Sequence, residues 1–228
     1  MATRHALIFI GGYPPDPRAL AHVTDHHLVV CADSGLQHAL ALGARPSVVV
    51  GDMDSVDPGS LDRAVADGVA TVIAPSDKDL TDTEIAIAHA LSDGADALTV
   101  LWGGGDRVDH SLGVFAACSD PRLDSLDFVD LWVGADLVRI ARPHRPVEIE
   151  GAPGSTVSLL PLGGSAEGVR TEGLRWPLSD DTLRSDSARG VSNVLIDRRA
   201  LIRLATGTLA VIVPSRATGG LTAAEVSS

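Results

Sequence analysis

The chain has 228 residues, 45% of them hydrophobic and 3% aromatic, with a formal net charge of −12. That length carries one large domain or two modest ones, with enough apolar mass for a real core, which argues against disorder. The acidic balance, without any basic stripe, argues against nucleic acid as the main partner, though not against a nucleotide whose charge a metal bridges.

In chain order, Met1-Ala2-Thr3-Arg4-His5 leads straight into a short apolar run, Ala6–Ile10, that stops at Gly11-Gly12. Leu28–Ala32 is a second such run and ends in Asp33-Ser34-Gly35. Leu36–Leu42 has helical composition and stops at Gly43. Val48–Val50, Thr71–Ala74 and Leu98–Leu101 read as strands. Their continuous apolar character predicts burial on both faces. Thr81-Asp82-Thr83-Glu84 fits a capping box, with Thr81 as N-cap of a helix. Val108–Cys118 is the next helix, and Phe128–Val133 and Leu137–Ile140 are two further strands. Alternating β and α with short loops predicts an α/β fold, a mainly parallel sheet flanked by helices over residues 1–142.

The pattern changes at Arg142-Pro143-His144-Arg145-Pro146, which reads as a linker. Short β-rich pieces follow: Val147–Ile149, Thr156–Leu160, Val169–Thr171, Val191–Ile196, Leu201–Leu204 and Leu209–Val213. They predict an antiparallel sandwich or small barrel over residues 146–214. Residues 215–228 are small and polar, and a frayed tail is expected there. Cys31 and Cys118 lack ligand spacing and read as buried reduced thiols. No apolar run approaches the length of a membrane span and no signal peptide is evident, so a cytoplasmic protein is expected.

The chemistry gathers where strands end. Val48-Val49-Val50 delivers Gly51-Asp52-Met53-Asp54-Ser55. Thr71–Ala74 runs toward Lys78-Asp79-Leu80-Thr81-Asp82, and Leu98–Leu101 runs into Gly103-Gly104-Gly105-Asp106-Arg107-Val108-Asp109-His110. In an open parallel sheet these ends share one edge, where ligands bind. Asp52, Asp54, Asp79, Asp82 and Asp109 are therefore expected around one pocket. At about 4 Å and an effective dielectric near 20, each like-charge pair repels by roughly 4 kcal/mol. A divalent metal carrying a polyphosphate relieves that repulsion, and Mg²⁺ suits it because it completes its shell with phosphate and water.

Plainer readings stand beside these. An isolated Asp-x-Asp is a common turn, and strand-type alternation alone sets Asp52 and Asp54 on one side with Met53 on the other. Asp82 compensates a helix dipole. His110 at a helix start makes a local hydrogen bond, and the triple glycine permits close approach. A helix start with Lys78 beside it is also a phosphate site. No GxxxxGK[ST] is present, so this is not a P-loop NTPase. Further on, Gly173-Leu174-Arg175-Trp176-Pro177-Leu178 holds either a core tryptophan or a flat wall for a planar cation, and Gly190-Val191-Ser192-Asn193 is a turn or a source of hydrogen bonds to the same ligand.

Taken in order, these segments, together with Asp33-Ser34-Gly35 and Ser158-Leu159-Leu160-Pro161, resemble the thiamine pyrophosphokinase family over about residues 8 to 213. The resemblance implies an N-terminal three-layer α/β/α domain with a mainly parallel sheet, a C-terminal β-sandwich, and a homodimer with composite sites. It implies transfer of pyrophosphate from ATP to the thiamine hydroxyl with Mg²⁺. By motif position Asp52, Asp54, Asp79, Asp82 and Asp109 hold metal and phosphates, with Asp52, Asp54 and Asp79 as metal ligands. Asp33, Lys78, Arg107, Gly104, Gly105 and His110 bind the nucleotide, with Lys78 and Arg107 neutralising the transferred group. Trp176, Ser192 and Asn193 hold thiamine, reaching the α/β domain of the other subunit. Three positions depart from the family pattern: Ser34 replaces a glycine, Met53 a Phe or Leu, and Val114 an asparagine near the nucleotide. Two rivals are a non-catalytic sensor of the same fold and a haloacid-dehalogenase-type phosphatase with Asp52 as nucleophile.

Overall fold

The structure is a computed structural model that describes residues 3–21, 23, 26–75, 79–105 and 107–215. The chain divides into two compact units. One comprises residues 1–117 with 131–134, the other residues 118–130 with 135–228. The change of sequence grammar at 142 therefore falls inside the second unit.

The first unit is built on five parallel strands: β1 (His5–Phe9), β2 (Leu28–Ala32), β3 (Val48–Gly51), β4 (Ala70–Ile73) and β5 (Ala97–Trp102). Their order is β4-β3-β2-β1-β5. Register is set by pairs such as Ala6 with Leu28, Leu7 with Thr99, Cys31 with Val49 and Val48 with Ala70. Strands β1, β2, β3 and β5 are buried throughout, as their apolar runs predict. β4 corrects that expectation: all four of its residues are exposed because it is the edge strand of this order.

The helices begin where the sequence signals them. In α2 (Gly35–Ala41), Leu36 and Ala39 are buried. α3 (Pro58–Ala66), not anticipated from the sequence, starts after Asp57, whose carboxylate accepts the Ser60 N–H at 2.7 Å with Pro58 in the first turn. α1 (Pro17–Ala21) is a single short turn. In α4 (Asp82–Ser92) the capping box is complete: Thr81 Oγ1 accepts the Glu84 N–H, and Glu84 Oε2 accepts the Thr81 N–H at 2.8 Å. α4 packs on β2 and β3, and α5 (Val108–Ala117) meets α4.

The second unit is antiparallel. β6 (Phe128–Val133) contributes its first residues to it, followed by β7 (Asp136–Ala141), β8 (Val147–Glu150), β9 (Thr156–Glu172), β10 (Ser179–Leu183), β11 (Asn193–Val194), β12 (Arg199–Arg203) and β13 (Thr206–Val213). The order β7-β13-β9-β12-β8 has β10 and β11 added to β9. The two strands expected at 156–160 and 169–171 are one strand of 17 residues. Gly163 takes φ +68°, so the chain bends there while pairing continues on β13 through a register shift. The strand expected over 191–196 shrinks to Asn193–Val194, because Ser192 at φ +60° breaks it. Val157, Leu159, Val169, Leu174, Leu183, Ile202 and Val211 lie in the core of this unit.

Both cysteines are free and buried, as expected. Burial alone pushes the Cys31 thiol up to about 12, and burial, weakly opposed by Arg142, does the same for Cys118. Neither is a nucleophile at neutral pH. Among the described residues no helix is long and apolar enough to cross a membrane.

Candidate active site

Three acid-bearing strand ends meet on the first unit. Asp33 follows β2 in the left-handed region, φ +48°, and its N–H donates to the Val50 carbonyl at 2.9 Å. Beyond β3, Met53 also turns left-handed at φ +66°. This turn, not strand alternation, brings Asp52 and Asp54 round. Left-handed non-glycine residues cost energy and concentrate at functional sites. Asp54 N–H donates to Asp52 Oδ1 at 3.3 Å, and Ser55 Oγ donates to Asp54 Oδ1 at 2.9 Å.

Asp33, Asp52 and Asp54 each present a carboxylate oxygen within 4.8 Å of the others. Asp82, the first residue of α4, closes in from the helix side. Gly51 makes that approach possible: at φ +136°, a Cβ there would lie 3.0 Å from Asp82 Oδ1 and 3.4 Å from Asp33 Cβ. Burial raises the Asp33 pKa, and Asp82, then Asp54 and Asp52, add to the rise by repulsion, against a lowering hydrogen bond from Ser55. Asp33 is only 9% exposed, and its Oδ1 has no hydrogen-bond partner. A buried acceptor without a partner costs about 1–3 kcal/mol. An all-oxygen group with one orphaned oxygen and mutual repulsion fits a hard divalent cation.

Asp33 also lines a cavity of about 650 Å³. Gly11 and Gly12, which follow β1, Trp102, the last residue of β5, and Gly105 beyond it line it too. The strand order changes direction at β1, with β2 on one side and β5 on the other, so the cavity lies at the topological switch point. Thr81, Asp82, Arg107, Asp109 and His110 supply polar wall, and Ile10, Leu80, Trp102 and Val114 supply apolar wall.

The sequence-predicted residues divide accordingly. Asp33, Asp82, Asp109, Arg107, Gly105 and His110 line the cavity. Asp52 and Asp54 join it through Asp33. Gly104 is not in the lining; its carbonyl accepts the Tyr13 N–H at 2.8 Å. Asp79 is exposed and lies outside both the cavity lining and the three-carboxylate group. Lys78 lies outside the described residues. Asp109 and Arg107 pair with each other, at 3.2 and 2.5 Å, and this pairing holds the Asp109 carboxyl down at about 2. Asp33 as a member of the carboxylate group was missed by sequence reasoning, although the strand-end rule that selected Asp52 applies equally to Ala32-Asp33-Ser34.

On the second unit Trp176 is 57% exposed, against 4% for Trp102 and 6% for Trp132. The core reading of Trp176 is therefore corrected. Its neighbours Leu174 and Leu178 are buried, and the Arg175 guanidinium carbon lies 5.7 Å from the indole centroid. Asn193 is buried, and its amide bonds the backbone of Trp176. Ser192 is exposed, and its N–H donates to Ser158 Oγ at 3.0 Å.

Two family models match this chain. One is the thiamin pyrophosphokinase catalytic domain, over residues 20–125; the other is the thiamin pyrophosphokinase vitamin B1 binding domain, over residues 144–209. Thiamine pyrophosphokinase 1 of Arabidopsis thaliana is 27% identical over 227 residues, covering 88% of this chain and 82% of that protein. The structure of thiamine pyrophosphokinase from Bacillus subtilis superposes with a TM-score of 0.77 at 23% identity, covering 93% of this chain and 99% of that one. Yeast thiamin pyrophosphokinase gives a TM-score of 0.71 at 16% identity, covering 95% and 88%. At such identities the structural likeness is one of fold. The models, by contrast, match the two halves in the order in which the motifs stand, and on that ground the chain belongs to the thiamine pyrophosphokinase family.

Proposed function

We propose that this protein transfers pyrophosphate from ATP to the hydroxyl of thiamine, giving thiamine diphosphate and AMP. The hydroxyl oxygen bonds to the β-phosphorus as the bond from that phosphorus to the α-bridging oxygen breaks. AMP leaves on that oxygen, and the hydroxyl proton goes to solvent. One observation carries the reading: a switch-point cavity adjoins three carboxylates and an orphaned buried oxygen, in a chain matched by both family domains. The phosphatase and sensor readings gain nothing from the comparisons.

Asp33, Asp52 and Asp54 would hold Mg²⁺, with Asp82 beside them, and Asp79 would meet the metal that ATP carries. Bound there, the metal would supply charge neutralisation for the polyphosphate. Arg107, released in part from Asp109, and Lys78 meet phosphate oxygens, and the start of α4 directs backbone N–H groups toward the same region. Gly104, Gly105 and His110 complete the nucleotide side. Trp176 stacks on the thiamine rings, with Ser192 beside it.

The finer architecture belongs to the same reading: a three-layer α/β/α domain over residues 1–142, a β-sandwich over 146–214, and a homodimer in which each site draws phosphate chemistry from one subunit and the tryptophan wall from its partner. The phosphate-type residues and Trp176 occupy different compact units, which supports such sharing. A cytosolic setting accords with two free cysteines.

The test is direct. Purified protein with ATP, MgCl₂ and thiamine should yield AMP and thiamine diphosphate in equal amounts, and EDTA should abolish both. ATP consumption giving ADP, or none at all, would sink the assignment.

A further inference from the structure

Trp176 stands outward between two buried leucines, so something must hold its backbone at the correct angle. The segment is tied to the strand beside it by Arg175 N–H to the Val194 carbonyl at 2.9 Å and by Ile196 N–H to the Gly173 carbonyl at 3.0 Å. At Trp176 itself this backbone pattern is replaced by a side chain. Asn193 Oδ1 accepts the Trp176 N–H at 3.1 Å and the Val194 N–H at 2.9 Å. Asn193 Nδ2 donates to the Trp176 carbonyl at 2.8 Å. Both backbone groups of the tryptophan thus end on one amide. Asn193 is 7% exposed and is itself fixed in β11, opposite Val157 of β9.

An amide offers two acceptor sites and two donors. Here both acceptor sites and one donor are committed within the protein. That arrangement suits a splint better than a ligand contact. An aspartate there would set a carboxylate against the Trp176 carbonyl.

We infer that Asn193 is a positioning residue: it acts on the acceptor through Trp176, presetting the indole as a rigid wall, and does not itself hold the substrate. Resting on the proposed function, this inference changes what Asn193 does within it. Preorganisation of an aromatic wall improves binding by removing the ordering cost that a free loop would incur.

The experiment is a double-mutant cycle on the full chain, reading the thiamine KM, the ATP KM and Trp176 emission. Trp176 is the exposed member of the three tryptophans, so acrylamide quenching reports on it selectively. Asn193→Ala should raise the thiamine KM by roughly the same tenfold as Trp176→Ala, leave the ATP KM within about twofold, and alter the quenching constant. The double variant should be no worse than Trp176→Ala, because residues acting as one unit are non-additive. If Asn193→Ala does not fold, Asn193→Asp enters the cycle under the same criterion. Penalties that multiply in the double variant would make Asn193 a direct contact and overturn the inference. So would a thermal destabilisation with unchanged thiamine KM. A wild type that makes no thiamine diphosphate would overturn the proposed function first, and the inference with it.

Discussion

Arg107 grips Asp109 through two guanidinium nitrogens, at 3.2 and 2.5 Å, across a spacing of two residues at the mouth of α5. The pair is exposed, so solvent screening leaves it little weight in stability. Its consequence is electrostatic, since Asp109 stays ionised down to a pH of about 2. A carboxylate held below its ordinary value favours the folded state above that ordinary value and loses the benefit only as pH falls through about 2. Asp109 should therefore contribute no inflection to a pH–rate profile between pH 4 and 8. Arg107→Ala should lower kcat by roughly a hundredfold or more, as loss of a phosphate-facing cation does, while the melting temperature barely moves. Steady-state kinetics with a thermal melt would check both halves.

Asp33 behaves in the opposite sense. Burial and the neighbouring carboxylates raise its pKa, so its ionised form is disfavoured in the folded state. The sign is then reversed: the contribution to stability is greatest at low pH and is lost as pH rises through the raised value. Metal-free protein should for this reason lose part of its stability as pH rises from the ordinary carboxylate range toward neutrality. Mg²⁺ should restore the loss at pH 7, because a ligand bound only by the folded state stabilises it. Asp33→Asn should abolish the Mg²⁺-dependent rise in melting temperature together with activity. An unchanged Mg²⁺ response in this variant would remove Asp33 from the metal group.

Asp54 and Asp79 separate two readings of the acidic cluster. Asp54 belongs to the three-carboxylate group and Asp79 does not. Asp54→Asn should reduce kcat by orders of magnitude and raise the Mg²⁺ requirement. Asp79→Asn should spare Mg²⁺ binding to the metal-free, ATP-free protein, and act on turnover with MgATP. Calorimetric Mg²⁺ titration of both variants decides it; equal loss of Mg²⁺ binding would extend the group to Asp79.

Gly51→Ala tests how tightly the carboxylates are packed. The new Cβ would sit 3.0 Å from Asp82 Oδ1 in a backbone conformation that alanine rarely adopts. Such strain costs about 1–3 kcal/mol. For a chain of this size that corresponds to a fall in melting temperature of roughly 2–4 °C per kcal/mol. Activity should fall further than stability explains, because Asp33 and Asp82 are pushed apart. A fully active Gly51→Ala would show that their close approach is dispensable.

Composite sites predict complementation. Asp54→Asn and Trp176→Ala chains, each of low activity when thiamine is held well below the wild-type KM, should regain activity when mixed and allowed to exchange subunits. Random reassortment makes half the dimers mixed, each with one intact site of two, so about a quarter of wild-type activity is expected. No recovery under conditions that demonstrably exchange subunits would place each site within a single chain.

Much of this protein is local and was therefore legible in its residues. Apolar runs, the Thr81–Glu84 capping box and the loops that end strands in aspartate depend on neighbours a few positions away. The strand-end rule set Asp52, Asp54, Asp79, Asp82 and Asp109 around one pocket before any coordinates, and of these Asp79 stands outside both the cavity lining and the three-carboxylate group. What tertiary structure alone decided depends on partners far along the chain. β4 reads as a buried strand but is an edge, because nothing in the order of strands lies beyond it. β9 reads as two strands but is one, because its partner continues pairing across the bend at Gly163. Asp33 enters the carboxylate group because β2 pairs with β3, which sets its N–H on the Val50 carbonyl and its carboxylate beside Asp52 and Asp54. Asn193 and Trp176 are 17 residues apart, and only the pairing of β11 with β9 sets the amide against the tryptophan backbone. Periodicity reports which face a residue presents; it carries no information about what the fold brings to meet that face.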